Sequence, residues 1–101
     1  MSQLINIAVV GLGQVGNYLL NELITKKRDI ELKTGKKIRV VAVSARNINK
    51  KRKFKVNKKI FYKNPLEIFK KKKLDLLIEC IGMSDGVSKK VVETARSESV
   101  V

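Results

Sequence analysis

A strand that runs straight into a glycine-spaced turn and then into an amphipathic helix leaves a chain few folds to adopt. Ile5-Asn6-Ile7-Ala8-Val9-Val10 is a short apolar run that reads as a buried strand. Gly11-Leu12-Gly13-Gln14-Val15-Gly16 follows at once. Val15, Tyr18, Leu19, Leu20, Leu23 and Ile24 then recur at helical spacing as far as the basic stop Lys26-Lys27-Arg28. A lone G-x-G-x-x-G is weak evidence, because glycines are common in turns. With a strand leading in and a helix leading out, it meets the context of the dinucleotide fingerprint. Gly11 then allows the tight turn, Gly13 lets the backbone approach a pyrophosphate, and Gly16 permits close packing of helix and sheet. The N–H groups of Gly13, Gln14 and Val15, aided by the helix dipole, are the expected phosphate donors. The plainer alternative is a strand–helix turn with no ligand.

The rest of the chain repeats the alternation. A polar stretch from Asp29 to Lys37 contains the turn signal Thr34-Gly35, and Ile38 to Ser44 is a second strand rich in β-branched residues. Arg46 to Lys59 is basic and weakly patterned, and reads as a loop. Ile60-Phe61-Tyr62 is a candidate brief third strand, and Asn64-Pro65 starts a short helix with Leu66, Ile68 and Phe69 on its apolar side. Leu74 to Ile81 is the clearest remaining strand. Ser84 is the expected cap of a helix with Val87, Val91, Val92 and Ala95 on one face, and Ser99-Val100-Val101 reads as the beginning of another strand. This order predicts an α/β fold: a Rossmann-type parallel sheet with helices on both faces, its first half plus the start of the next strand. At 101 residues the chain is expected to be one domain, incomplete at its C-terminal end.

Composition removes several function classes. One cysteine, Cys80, excludes an internal disulfide framework, and the absence of histidine excludes a zinc finger; no metal site is expected. No apolar run approaches the roughly 20 residues needed to span a bilayer, and the first residues lack a secretion signal, so a cytoplasmic protein without a membrane partner is expected. The net charge of +14 raises the question of nucleic acid. Eighteen of the 23 basic residues are lysines, and aromatic residues make up 5% with no tryptophan. Nucleic-acid surfaces usually combine arginine forks and stacking aromatics. Here the lysines fall in connecting runs such as Lys50-Lys51-Arg52-Lys53 and Lys70-Lys71-Lys72-Lys73, which reads as a solvated surface and not as a specific nucleic-acid site.

The end of the second strand selects between nicotinamide cofactors. NAD binders commonly carry Asp or Glu there to bond the ribose hydroxyls, but this chain reads Val43-Ser44-Ala45-Arg46-Asn47. An arginine can pair with a 2′-phosphate that a carboxylate would repel, so Arg46 is the candidate clamp, assisted by a lysine among Lys50, Lys51 and Lys53. NADP is thereby favoured, with NAD possible; a solvated strand-end arginine is the alternative. Ile81, Gly82 and Met83, at the end of the Leu74 to Ile81 strand, are expected beneath the nicotinamide ribose. Cys80 reads as core, Glu79 has no partner evident in the sequence, and neither is given a chemical role.

Three segments together resemble one family. Ile7 to Gly16, Ile38 to Arg46, and Ile78-Glu79-Cys80-Ile81-Gly82-Met83-Ser84-Asp85-Gly86 are similar to the amino-terminal nucleotide domain of homoserine dehydrogenase, as is the lysine-rich connection around Thr34-Gly35-Lys36. The resemblance covers nearly the whole chain, and its Ser-Ala-Arg strand end and Glu-x-Ile-Gly segment are the more specific parts. It implies NAD(P)H-dependent reduction of aspartate semialdehyde to homoserine, a step toward threonine and methionine. It also implies pyrophosphate contacts from Leu12, Gly13, Gln14 and Val15, a 2′-phosphate contact from Arg46, and a nicotinamide border from Ile81 to Met83. Two positions depart from the family: Met83 stands where a second glycine is usual, and Gln14 where threonine is frequent. The family's Thr-Ala-Asn-Lys segment, whose lysine belongs to the active site, and its substrate and dimerisation region are absent. Full-length members are expected to be homo-oligomers. No catalytic residue is therefore named, Lys89 and Lys90 included, and the chain is expected to be inactive alone. Three other functions stay open: the cofactor domain of a different oxidoreductase, a non-catalytic nucleotide-sensing module, and a basic nucleic-acid binder, which steep salt dependence on DNA without cofactor binding would favour. A sensing module would commonly carry an acid at the second strand end.

Overall fold

The computed structural model describes residues 3–81, 86–98, 100 and 101. Strand β1, Leu4–Val10, lies inside the sheet, and its apolar run has a direct cause. Ile7 and Val9 enter one hydrophobic cluster, while Ala8 and Val10 enter a second on the opposite face. A strand buried on both faces has no solvent side to carry polar residues, so alternation gives way to a continuous apolar stretch. All four of these side chains are at most 2% exposed.

β1 pairs in parallel with β2, Lys37–Ser44, on one edge and with β4, Leu76–Glu79, on the other. The two-residue β3, Phe61–Tyr62, lies outside β2, so the order is β3-β2-β1-β4. Between β1 and β2 the register slips: Ile7 faces Val40, but Ala8 faces Ala42. Val41 is thus an extra residue, and Val41 and Ala42 both pack toward the second cluster while Ile38 and Val43 belong to the first. Because the chain leaves β1 first toward β2 and returns on the far side as β4, the sheet has a reversal point at the carboxyl end of β1. In open parallel sheets that is where ligands bind.

Helix α1, Gln14–Thr25, covers the Ile7 and Val9 face with Leu20 and half-buried Leu23. Helices α3, Leu66–Lys71, and α4, Gly86–Ser97, cover the other face with Ile68 and Val91. The expected two-sided arrangement is therefore present. A further helix, α2, Lys27–Thr34, occupies much of the polar stretch and ends at Gly35 with φ of 71°. It buries no residue; an Asp29–Lys33 pair at 3.2 Å spans one turn, and Glu31 Oε2 accepts the Ile38 N–H at 2.8 Å. On α4, Val91 and Ala95 are buried as expected, but Val92 is exposed. The expected cap Ser84 and the side chain of Val87 lie outside the described residues.

The entry to β4 is locked to β1. Asp75 donates its N–H to the Asn6 carbonyl at 2.9 Å, and its Oδ2 accepts the Asn6 N–H at 2.8 Å. On the other edge of β4, Val101 accepts from the Leu77 N–H at 2.8 Å and donates to the Asp75 carbonyl at 3.2 Å. These are the two bonds of a parallel pairing opposite Leu76, at the position where the sequence pattern predicts the next strand. Ser99 itself lies outside the described residues.

Candidate functional site

A cleft of about 1000 Å³ opens at the carboxyl edge of the sheet. Its floor is formed by the ends of three strands: Val10 and Gly11 after β1, Ser44 to Asn47 after β2, and Cys80 and Ile81 after β4. Five cationic residues line it, Arg46, Lys50, Arg52, Lys63 and Lys90, against one carboxylate, Glu67. Glu67 comes from α3 and not from the end of β2 itself. The cleft is therefore suited to an anion.

The glycine turn is built as its spacing requires. Gly11 adopts φ of 92°, its N–H donates to the Ser44 carbonyl at 2.8 Å, and a Cβ there would stand 2.8 Å from the Cys80 carbonyl carbon. This residue is wedged between the ends of β2 and β4. A Cβ on Gly16 would fall within the Gly11 carbonyl oxygen and 2.9 Å from the Gly11 carbonyl carbon, so α1 approaches the turn closely only because position 16 has no side chain. Gly13 differs. It caps α1 in an extended conformation with no side-chain partner, and a Cβ there would meet nothing within 4 Å. Neither packing nor backbone angle demands glycine at this position. What the missing Cβ leaves is open space over exposed N–H groups at a helix start, which fits a dinucleotide's pyrophosphate.

Gly11, Leu12, Gly13, Arg46 and Ile81 are thus brought together around one cleft. Leu12 turns its side chain into the first core cluster and is 4% exposed, so only its backbone is presented. Gln14 and Val15 are exposed on the first turn of α1, outside the cleft lining, while Gly16 is buried beneath. Arg46 is exposed on the cleft wall next to buried Ser44. Gly82 and Met83 lie outside the described residues. Glu79 has a partner that the sequence did not disclose: its carboxylate accepts the Ile81 N–H. Burial, and then the neighbouring Glu79 charge, push the Cys80 thiol up, which keeps it protonated at neutral pH and unsuited to nucleophilic work.

Two further residues organise the site. Asn17 is 4% exposed and makes a reciprocal pair with Phe54: its Nδ2 donates to the Phe54 carbonyl at 3.1 Å, and its Oδ1 accepts the Phe54 N–H at 3.0 Å. Arg52, within the run read as solvated, donates to the Leu12 carbonyl at 3.2 Å and to the Asn47 carbonyl at 2.8 Å. The Asn17 signal was present in the sequence, since Gly13, Asn17 and Leu20 fall on one helix face. Asn17→Ala would leave both Phe54 backbone groups without their partner. A loss of about 1–3 kcal/mol is expected, read from thermal melting followed by circular dichroism. An unchanged melting temperature would show that the pair contributes nothing.

Fold and cleft together define a nicotinamide-dinucleotide-binding half of a doubly wound domain. A sequence profile of the homoserine dehydrogenase NAD binding domain matches residues 11–101, and the chain belongs to that family. In three dimensions it is similar to homoserine dehydrogenase of S. aureus (structure at pH 7.5), with a TM-score of 0.85 and 23% identity over 97% of this chain and 25% of that one. It also resembles homoserine dehydrogenase from Thiobacillus denitrificans, with a TM-score of 0.78 and 23% identity over 99% of this chain and 23% of that one. The chain thus spans about a quarter of the length of these enzymes. At this identity the structural likeness speaks for the fold. No curated protein matches the sequence.

Proposed function

We propose that the chain is the cofactor-holding portion of a homoserine dehydrogenase and that it takes NADPH in preference to NADH. The observation that carries the preference is the end of β2, where Arg46 stands on the cleft wall and no carboxylate is present from Val43 to Asn47. A carboxylate there would accept bonds from ribose hydroxyls and repel a 2′-phosphate; a guanidinium reverses both effects.

In this reading, the backbone of Leu12 and Gly13 and the first-turn N–H groups of Gln14 and Val15 hold the pyrophosphate. Arg46 takes the 2′-phosphate, and Ile81 gives an apolar border to the nicotinamide end. When bound, the cofactor supplies the hydride that reduces aspartate semialdehyde to homoserine. The residues of this chain bind and orient it, and none is assigned a proton-transfer role.

Titration with NADPH and NADH at moderate salt, followed by nicotinamide fluorescence, tests the proposal. Saturable binding that favours NADPH is expected; equal affinities would remove the preference, and no binding to a folded chain would remove the cofactor. Gly13→Ala separates ligand approach from folding. Its methyl meets no protein atom, so the stability change should stay within about 1 kcal/mol. Affinity for both nucleotides should nevertheless fall, by about tenfold or more, because the methyl stands where the phosphates come closest.

A further inference from the structure

We propose that Arg52 is a positioning residue that sets the cofactor selectivity of the cleft, by fixing the loop after β2 against the glycine turn. The inference rests on the cofactor reading above and extends it to a residue that does not itself meet the nucleotide. Arg52 is half-buried, and its guanidinium is occupied by the protein. Nε donates to the Leu12 carbonyl at 3.2 Å, Nη1 to the Ile48 and Lys50 carbonyls at 3.4 and 3.1 Å, and Nη2 to the Asn47 carbonyl at 2.8 Å. A guanidinium has five N–H donors in a rigid plane, so most of this one is spent on backbone.

The carbonyls it holds explain what it controls. Leu12 C=O and Gly13 N–H belong to one planar trans peptide, so fixing the oxygen from the loop side aims the N–H the opposite way. Asn47 directly follows Arg46, and the bond to its carbonyl fixes the backbone beside the 2′-phosphate clamp. One side chain therefore ties the pyrophosphate turn to the 2′-phosphate loop and sets their separation. The Asn17–Phe54 pair secures the same loop two residues further on. A lysine here would retain the charge but lacks the fork.

The test measures Kd for NADPH and NADH in the wild type, Arg52→Met, Arg52→Lys, Arg46→Ala and the Arg46→Ala/Arg52→Met double variant, each checked for folding by circular dichroism. Arg52→Met is expected to reduce the NADPH-over-NADH preference about tenfold, and by less than about threefold once Arg46 is alanine, because residues acting through one another are not additive. Arg52→Lys should lose most of the preference too, and it carries the test if the methionine variant does not fold. An equal reduction with and without Arg46 would make Arg52 a direct phosphate ligand and overturn the proposal. An unchanged preference in Arg52→Met, or a wild-type preference in Arg52→Lys, would also overturn it. A folded wild type that binds neither nucleotide defeats the cofactor reading and this proposal together, whereas the preceding results defeat this proposal alone.

Discussion

Gly16→Ala is expected to cost at least about 3 kcal/mol and to lower the melting temperature by roughly 12 °C or more. The added methyl would meet backbone, the Gly11 carbonyl, with its carbon only 2.9 Å away. Gly11 has no room to retreat. Its N–H is held by the Ser44 carbonyl at 2.8 Å, and the backbone of Cys80 and Ile81 lies 2.8 Å from where its own Cβ would be. Relief has to come from α1 moving outward, which withdraws Leu20 from the first core cluster and pulls Asn17 from Phe54. Overpacking usually costs about 1–3 kcal/mol because side chains yield; backbone against backbone belongs at or above the top of that range. For a domain of this size such a loss is a large part of the total stability. Thermal and urea unfolding would measure it, and a melting temperature within about 3 °C of the wild type would contradict the packing described for the turn.

Arg46→Ala is expected to raise the Kd for NADPH by about 10- to 150-fold while changing that for NADH less than about threefold. The figures correspond to about 1.5–3 kcal/mol for a charge-assisted contact to one phosphate. The difference between the cofactors is the diagnostic quantity, because everything they share, the pyrophosphate and both riboses, is untouched. Salt provides a second reading. NADPH binding should weaken with rising ionic strength more in the wild type than in the variant, since a screened ion pair has been removed. Equal losses for the two nucleotides would sink the 2′-phosphate assignment.

The features that could be read from the sequence were those with a period or a motif. β1, α1, β2 and β4 each carry a run or spacing that one physical rule explains, and the turn between β1 and α1 carries its own glycine code. Helix α2 escaped because it buries nothing: its only apolar residues are half-buried Ile30 and 77%-exposed Leu32. Polar contacts such as Asp29–Lys33 and Glu31 to Ile38 accompany it, and these leave no apolar stripe to detect. The bulge at Val41 was hidden for a related reason. A strand buried on both faces is apolar at every position, so a one-residue slip leaves no trace in its pattern.

Gly11, Gly13 and Arg46, which the structure brings to the cleft, could be singled out beforehand because the glycine spacing of a turn and a strand end without a carboxylate are visible in letters. Arg52 was not. It lies in a basic run whose neighbours Lys51 and Lys53 are exposed, and its partners, from Leu12 to Lys50, are carbonyl oxygens, which every residue possesses. A side chain that binds backbone across 40 positions leaves no matching partner type in the sequence. Glu79 was unreadable in the same way, since it bonds the Ile81 N–H.

The pairing of Asn6 with Asp75 also has a consequence in time. These residues are 69 positions apart, and synthesis at about 5–20 residues per second delivers the second some 3–14 s after the first. Throughout that interval β1 has been made and α1 can form beside it, but one edge of the strand has no neighbour. The most apolar segment of the protein, Ile7 to Val10, therefore waits on the ribosome with unpaired N–H and C=O groups, well beyond the microseconds in which a local hairpin closes. A strand placed early in the chain and centrally in the sheet makes the newborn protein dependent on whatever shields that edge, and the dependence ends only when Leu76 to Glu79 emerge.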